Sequence, residues 1–163
     1  DNKSTKHQEK QEKDIYIKNA KNPYSTIICR FCSPLPGDVI YSTYRTGYYS
    51  NNEYIIHRHG CLVGIVSNEA KWNNVTTDEY VARMNFTIQD LSNSIAQTLA
   101  IFKNNNITSI NFRASLGEQA TGKISAKFNS LKHFNDRLEE FEKLENVIEV
   151  ERRFDKEDKK WKY

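Results

Sequence analysis

From Tyr80 onward the apolar residues switch repeatedly between strand period and helix period, and that succession constrains the chain more than any other feature of its sequence. Tyr80 to Thr87 alternates as a strand, and Ile95, Leu99 and Phe102 then recur four and three apart on a helix from about Ser92 to Asn104. Asp90 or Ser92 is placed to cap that helix. Ile107 to Ala114 reads as a strand, Leu116-Gly117 as a turn and Lys123 to Phe128 as a further strand. Leu131, Phe134, Leu138, Phe141 and Leu144 form one apolar helical face, with Asp136, Arg137, Glu139, Glu140 and Lys143 on the solvent side. Asn146 to Phe154 closes as a strand. The order strand, helix, strand, strand, helix, strand predicts an antiparallel four-stranded sheet with both helices on one face, spanning residues 79–154.

The first half has a different character. Asp14 to Ile17 and Ser25 to Ile28 have the pattern of short strands. Pro34, Pro36 and Gly37 force a turn, after which Asp38 to Tyr44 and Glu53 to His57 read as strands around a polar loop from Gly47 to Asn52. The stretch from Ser67 to Asp78 reads as a polar link with Trp72 as its one large apolar anchor, so a boundary between domains is expected there. Residues 14–75 thus make a small β-rich module with few aliphatic side chains, and such a module usually needs a staple. Residues 1–13 carry no apolar position and are expected to be a disordered arm, a linker or the end of a preceding helix, and residues 155–163 a frayed basic tail. The class is α+β.

The cysteines and histidines of the first module suggest what the staple is. Cys29 and Cys32 enclose two residues, and His57 and Cys61 enclose three. Cys29, Cys32, His57 and Cys61 together offer three sulfurs and an imidazole, the donor set that a borderline-soft ion such as zinc collects tetrahedrally. The alternative is that the cysteines are small core hydrophobes. A redox pair at Cys29 and Cys32 is disfavoured, because Pro34 and Pro36 prevent the helix that such a pair needs. His59 is expected to be exposed rather than a ligand.

Composition adds exclusions. No apolar run approaches the about 20 residues that cross a bilayer, so no membrane partner is expected. A formal charge of +3 is too weak to argue nucleic-acid binding from bulk electrostatics. Three cysteines close to histidines point to a reducing, cytoplasmic setting. No phosphate-cradling glycine loop, metal-binding His-Asp pair or Ser/His/Asp order stands out, so no catalytic residue is assigned and no turnover is expected from this chain.

Cys32-Ser33-Pro34-Leu35-Pro36-Gly37-Asp38, followed by Ile56-His57-Arg58 and Cys61, resembles the Cys/His zinc-finger-like module of long RelA/SpoT proteins, which make or hydrolyse the alarmone (p)ppGpp. Phe31 stands where that pattern has the first Cys of a pair, and Cys29 can substitute for it. The second half is similar to the terminal ACT domain of the same family, a βαββαβ ferredoxin-like fold, with Val147-Ile148-Glu149-Val150-Glu151-Arg152 as its closing strand. The loop from Thr46 to Asn52 is longer than the family pattern and lacks its Gly-Arg-Gly. Asn93 replaces the glycine that usually opens the first ACT helix, which weakens amino-acid sensing. The chain begins without Met, in keeping with a piece of a longer protein.

The resemblance implies a regulatory, non-catalytic C-terminal region that contacts the ribosome, near large-subunit rRNA and the A-site tRNA, and signals to upstream catalytic domains in the stringent response. Arg30, Arg45, Arg58 and Lys71 suit phosphates, while Tyr48 and Trp72, with Tyr44 and Tyr49, suit base stacking; the tyrosines equally suit a β core and its rim. The alternative is an amino-acid-sensing ACT module that works as a homodimer, with Asp90 and Asn93 in its ligand loop.

Overall fold

A computed structural model describes residues 14–46, 52–61, 67–73, 79–114, 117, 119–152 and 154. The expectations for the arm at 1–13, the tail at 155–163, most of the Gly47–Asn52 loop, Tyr48, Tyr49 and Leu116 fall outside them. The chain forms two compact units that divide between Asp78 and Glu79, the second running to Phe154.

The first unit is a five-stranded sheet of β1 (Ile15–Ile17), β2 (Tyr24–Ile28), β3 (Ile40–Thr46), β4 (Asn52–Arg58) and β5 (Asn68–Trp72), in the order β1-β5-β3-β4-β2. Within the stretch read as a polar link, residues 68–72 form a strand, while 74–78 lie outside the described residues. Residues 68–72 pair antiparallel with β1, Ile15 opposite Trp72, and with β3, Tyr41 opposite Glu69. Asn-Glu-Ala-Lys-Trp buries only the small Ala70 fully, so its alternation is faint in sequence. Its backbone pairing comes from partners far away in the chain. Asn68, Glu69 and Ala70 therefore owe their strand state to register, not to propensity.

Alternation gives this sheet two different faces. Ile15, Ile17, Ile40, Tyr54, Ile56 and Ala70 pack together on one, joined by Tyr24, Ile28 and Trp72. On the other lie Tyr41, Thr43, Ile55 and His57, since β3 and β4 pair antiparallel with Tyr41 opposite His57 and Thr43 opposite Ile55. β4 is consequently buried on both sides from Tyr54 to His57. β2 pairs with β4 in parallel, Ile28 beside Ile56, and the Cys29 N–H donates to the Ile56 carbonyl at 2.9 Å. That bond continues the ladder by one residue and sets Cys29 beside His57.

The second unit has the expected order: β6 (Tyr80–Gln89), α1 (Leu91–Phe102), β7 (Ser109–Ala114), β8 (Gln119–Phe128), α2 (Leu131–Glu142) and β9 (Val147–Glu151). Its sheet runs β7-β8-β6-β9 with every neighbouring pair antiparallel, and both helices pack on one face. Ala82, Met84, Phe86 and Ile88 of β6 and Ala120, Ile124, Ala126 and Phe128 of β8 are buried there. Phe86 meets Phe141 at 5.1 Å between ring centres, and Phe141 meets Phe102 at 5.7 Å, so three aromatic rings tie the sheet to both helices. Ser130 caps α2, its hydroxyl accepting from the His133 N–H at 3.1 Å.

α1 departs from its predicted face and cap. Its buried residues are Ser94, Thr98 and Phe102, whereas Leu99 is 43% exposed. The two hydroxyls donate to the carbonyls of Gln89 and Ser94, both at 2.7 Å, so they enter the core already hydrogen-bonded. Asp90 occupies the N-cap position in a left-handed conformation and makes no side-chain cap. No helix of the described residues is long and apolar enough to cross a membrane.

Candidate metal centre

Four segments of backbone bring the donors together on the second face of the first sheet. Cys29 sits one residue past β2, Cys32 in the turn that follows, His57 near the end of β4, and Cys61 after the turn that ends β4. The Ser33 N–H donates to the Cys29 carbonyl at 2.9 Å and closes the Cys29-to-Cys32 turn. At the other corner the Cys61 N–H donates to the Arg58 carbonyl at 3.2 Å, with Gly60 at φ +92°, a conformation that glycine adopts without strain. One ligand atom from each of Cys29, Cys32, His57 and Cys61 lies within 4.8 Å of every other.

All four residues are buried and the three cysteines are free thiols. Around a tetrahedral zinc ion such donors stand roughly 3.5–4 Å apart, so small side-chain adjustments suffice to close on an ion. A second observation supports the fit: His57 Nδ1 is buried without a hydrogen-bond partner, while Nε2 is 2.8 Å from Thr43 Oγ1. An orphaned imidazole nitrogen beside three sulfurs is what a metal would satisfy. This group can hold a metal ion.

Without metal the sulfurs and the imidazole share their protons by hydrogen bonding. Cys29 is held far below the usual thiol range, first because the Cys32 thiol offers it a proton and then because Cys61 does so. Cys32 is correspondingly pushed up by its place beside Cys29 and Cys61 and by burial. Burial works to lower His57, but the neighbouring sulfurs of Cys29 and Cys61 outweigh it and lift the ring to about 9. Burial, then the charge of the three sulfurs, raises Tyr41 to about 12. A cation that displaces these protons meets sulfurs whose thiolate form the cluster already favours at Cys29.

Several residues that sequence alone offers for RNA also have partners within the module. Arg58 turns inward: its Nε donates to the Cys32 carbonyl at 2.7 Å, and its backbone N–H to the Cys32 sulfur at 3.3 Å. Trp72 is half-buried and donates its indole N–H to the Asp38 carbonyl at 3.1 Å. Asp38 in turn accepts the Leu35 N–H at 2.6 Å, which braces the Pro34–Gly37 turn. Arg45 pairs with Glu53 directly across β3 and β4 at 2.8 Å, and Lys71 lies 3.6 Å from Glu69. Arg30 is exposed between Cys29 and Cys32. Tyr44 is 40% exposed, with the Lys21 ammonium 4.7 Å from its ring centre. His59 is exposed, as expected.

Two residues around His57 escape a sequence reading altogether. Tyr41 stacks on the His57 ring at 5.2 Å and an interplanar angle of 25°, and its hydroxyl donates to the Cys61 carbonyl. Thr43 holds the far ring nitrogen. Their common face with His57 is visible only from the β3–β4 register.

In the second unit, Asp90 and Asn93 sit at the start of α1, and the Asn93 amide donates to the Asp90 carboxylate at 2.7 Å. An open cleft of about 440 Å³ lies there, lined by Asp90, Leu91, Ala114, Gly117, Gln119 and Ala120.

No protein-family model and no curated protein matches the sequence. Among solved structures, the crystal structure of the ACT domain from GTP pyrophosphokinase of Chlorobium tepidum is similar to 46% of this chain over 99% of its own length, at 18% identity and a TM-score of 0.42. The solution NMR structure of that domain matches 45% of this chain and 85% of its own, at 18% identity and a TM-score of 0.41.

Proposed function

We propose that this chain is a regulatory, non-catalytic region of a (p)ppGpp synthetase/hydrolase, in which a zinc-stapled β module precedes an ACT-type βαββαβ module. The observation that carries this reading is the gathering of Cys29, Cys32, His57 and Cys61 within 4.8 Å, in a chain that continues into a β7-β8-β6-β9 antiparallel sheet with two helices on one face. The motif from Cys32 to Asp38 and the one from Ile56 to Cys61 supply the family resemblance. Zinc here is structural: four protein donors leave no open position for a substrate.

On this reading the partners are ribosomal RNA, the A-site tRNA and upstream catalytic domains of the same protein. Of the cations offered for phosphates, Arg30, Arg45 and Lys71 are exposed, whereas Arg58 and Trp72 serve the metal module. Co-sedimentation with ribosomes over a salt series tests it. Association should weaken steadily with salt and weaken further in a variant with Arg30, Arg45 and Lys71 all changed to Gln. Absence of salt-sensitive association would sink the ribosomal reading.

The cleft at the start of α1 favours a second reading, an amino-acid sensor using Asp90 and Asn93. A thermal-shift panel of amino acids separates the two. A ligand at 100 times its dissociation constant should add about 2.7 kcal/mol of stability, and an unmoved melting point across the panel would leave the cleft without that role.

A further inference from the structure

We propose that Thr43 is a positioning residue of the metal centre: its hydroxyl accepts the Nε2–H of His57 and so commits Nδ1 to the metal. The inference rests on the reading of Cys29, Cys32, His57 and Cys61 as a metal site and adds which atom of the ring is the ligand.

The geometry that carries it is local to two strands. Tyr41 lies directly opposite His57, and Thr43 is the next residue of β3 on the same face. Diagonal neighbours of this kind are within reach of a ring as long as imidazole, and Thr43 Oγ1 stands 2.8 Å from Nε2. A neutral imidazole has one donor nitrogen and one acceptor nitrogen. A metal needs the acceptor. With Nε2–H donated to the hydroxyl, the lone pair falls on Nδ1, the ring atom that is buried and otherwise unpartnered.

Rotation of the ring is opposed as well. Tyr41 stacks on one side of it, and the Tyr41 hydroxyl is itself anchored to the carbonyl of Cys61, a proposed ligand. The imidazole is thus held by a wall on its face and a hydroxyl at its far edge. A metal ligand whose second nitrogen is fixed this way keeps its direction, and loss of such a partner commonly weakens binding about 10- to 100-fold.

The full chain is loaded with zinc, and with cobalt as a spectroscopic probe, for wild type, Thr43→Val and Thr43→Ser. Long-range ¹⁵N–¹H correlation spectra of the zinc-loaded wild type should show Nε2 protonated and Nδ1 metal-bound at His57. Competition with a chromophoric chelator should show about tenfold weaker zinc binding for Thr43→Val and near wild-type binding for Thr43→Ser. Metal bound through Nε2, or a Thr43→Val variant with unchanged affinity and tautomer, would overturn the inference while leaving the metal site standing. A wild-type chain that takes up neither ion, with no thiolate-to-cobalt absorption, would remove the metal reading and this inference together.

Discussion

The guanidinium of Arg58 donates through Nε to the carbonyl of Cys32, 2.7 Å away, and the backbone N–H of the same arginine meets the Cys32 sulfur at 3.3 Å. One residue therefore supports both the turn that carries a thiol and the thiol itself. Arg58→Ala should lower zinc affinity by about tenfold, as loss of an outer partner does, because the carbonyl loses its charged donor. Arg58→Lys should restore little, since a lysine lacks the planar fork that reaches the carbonyl from this position. Chelator competition reads the effect directly. An Arg58→Ala chain with wild-type zinc affinity would return this residue to the RNA-facing set.

The metal-free cluster should give folding stability a distinctive pH profile. His57, raised to about 9 from 6.5 by the sulfurs beside it, binds its proton more tightly folded than unfolded. Its contribution is complete below pH 6.5 and is lost as pH rises through about 9. Cys29, held below its ordinary 9.0 chiefly by the Cys32 thiol, works in the opposite sense. Its contribution is complete above pH 9.0 and is lost as pH falls toward its lowered folded value. Between 6.5 and 9 folding moves a proton from Cys29 to His57 with no net uptake, so the two slopes cancel. Above 9.0 the raised Cys32 keeps a proton that the unfolded chain releases, and stability declines. Urea unfolding of chelator-treated protein should show a plateau from about 6.5 to 9 with a fall on each side; a steady slope across that window would contradict the coupling of these groups.

Removal of the metal should act on one unit and spare the other. The donors Cys29, Cys32, His57 and Cys61 all belong to the first unit, while the aromatic core of Phe86, Phe102 and Phe141 lies within residues Glu79–Phe154. In scanning calorimetry with a strong chelator, the transition of the first unit should fall by many degrees or vanish. The transition of the second should stay where it is. Amide exchange resolves which residues open: β2 and β4 should lose protection, and β6 and β8 should keep it.

Gly122 tests the packing of the second unit. A Cβ built on it would meet Phe86 ring atoms at 2.2 and 2.3 Å, and the Asn111 carbonyl at 3.0 Å. Phe86 is not free to move aside, because its ring also packs on Phe112 at 5.6 Å and Phe141 at 5.1 Å. Gly122→Ala should cost about 1–3 kcal/mol of stability in this unit, the range for overfilled cores, with zinc content unchanged. Denaturant titration followed by far-ultraviolet dichroism measures the first, and metal analysis the second.

Much of this architecture was legible from sequence, and the reasons differ by element. In α2, Phe134 and Phe141 are buried where the three-and-four spacing places them, because large apolar side chains advertise a helical face. In α1 the same logic points to Ile95 and Leu99, yet Ser94 and Thr98 lie inside, their hydroxyls satisfied by nearby backbone carbonyls, Gln89 at the end of β6 and Ser94 in the helix. Hydropathy does not register a polar group that carries its partner with it. The set of Cys29, Cys32, His57 and Cys61 was visible because metal donors are few and closely spaced. Its supports, Tyr41, Thr43 and Arg58, were hidden, since they depend on the register of β3 on β4 and on the parallel pairing of β2 with β4.

That parallel pairing has a consequence for how the molecule stays in solution. β2 is an edge strand, all five of its residues are only half-buried, and Cys29 at its end ties it to the Cys/His group that can hold an ion. Behind it lies Tyr54-Ile55-Ile56, buried on both faces and rich in residues that favour extended pairing. With the cluster undone, β2 can peel away and β4 becomes an open apolar edge, the kind of surface on which chains add to one another. An ion bound at this group would guard against self-association: starving this protein of metal should cloud the solution before it unravels the fold.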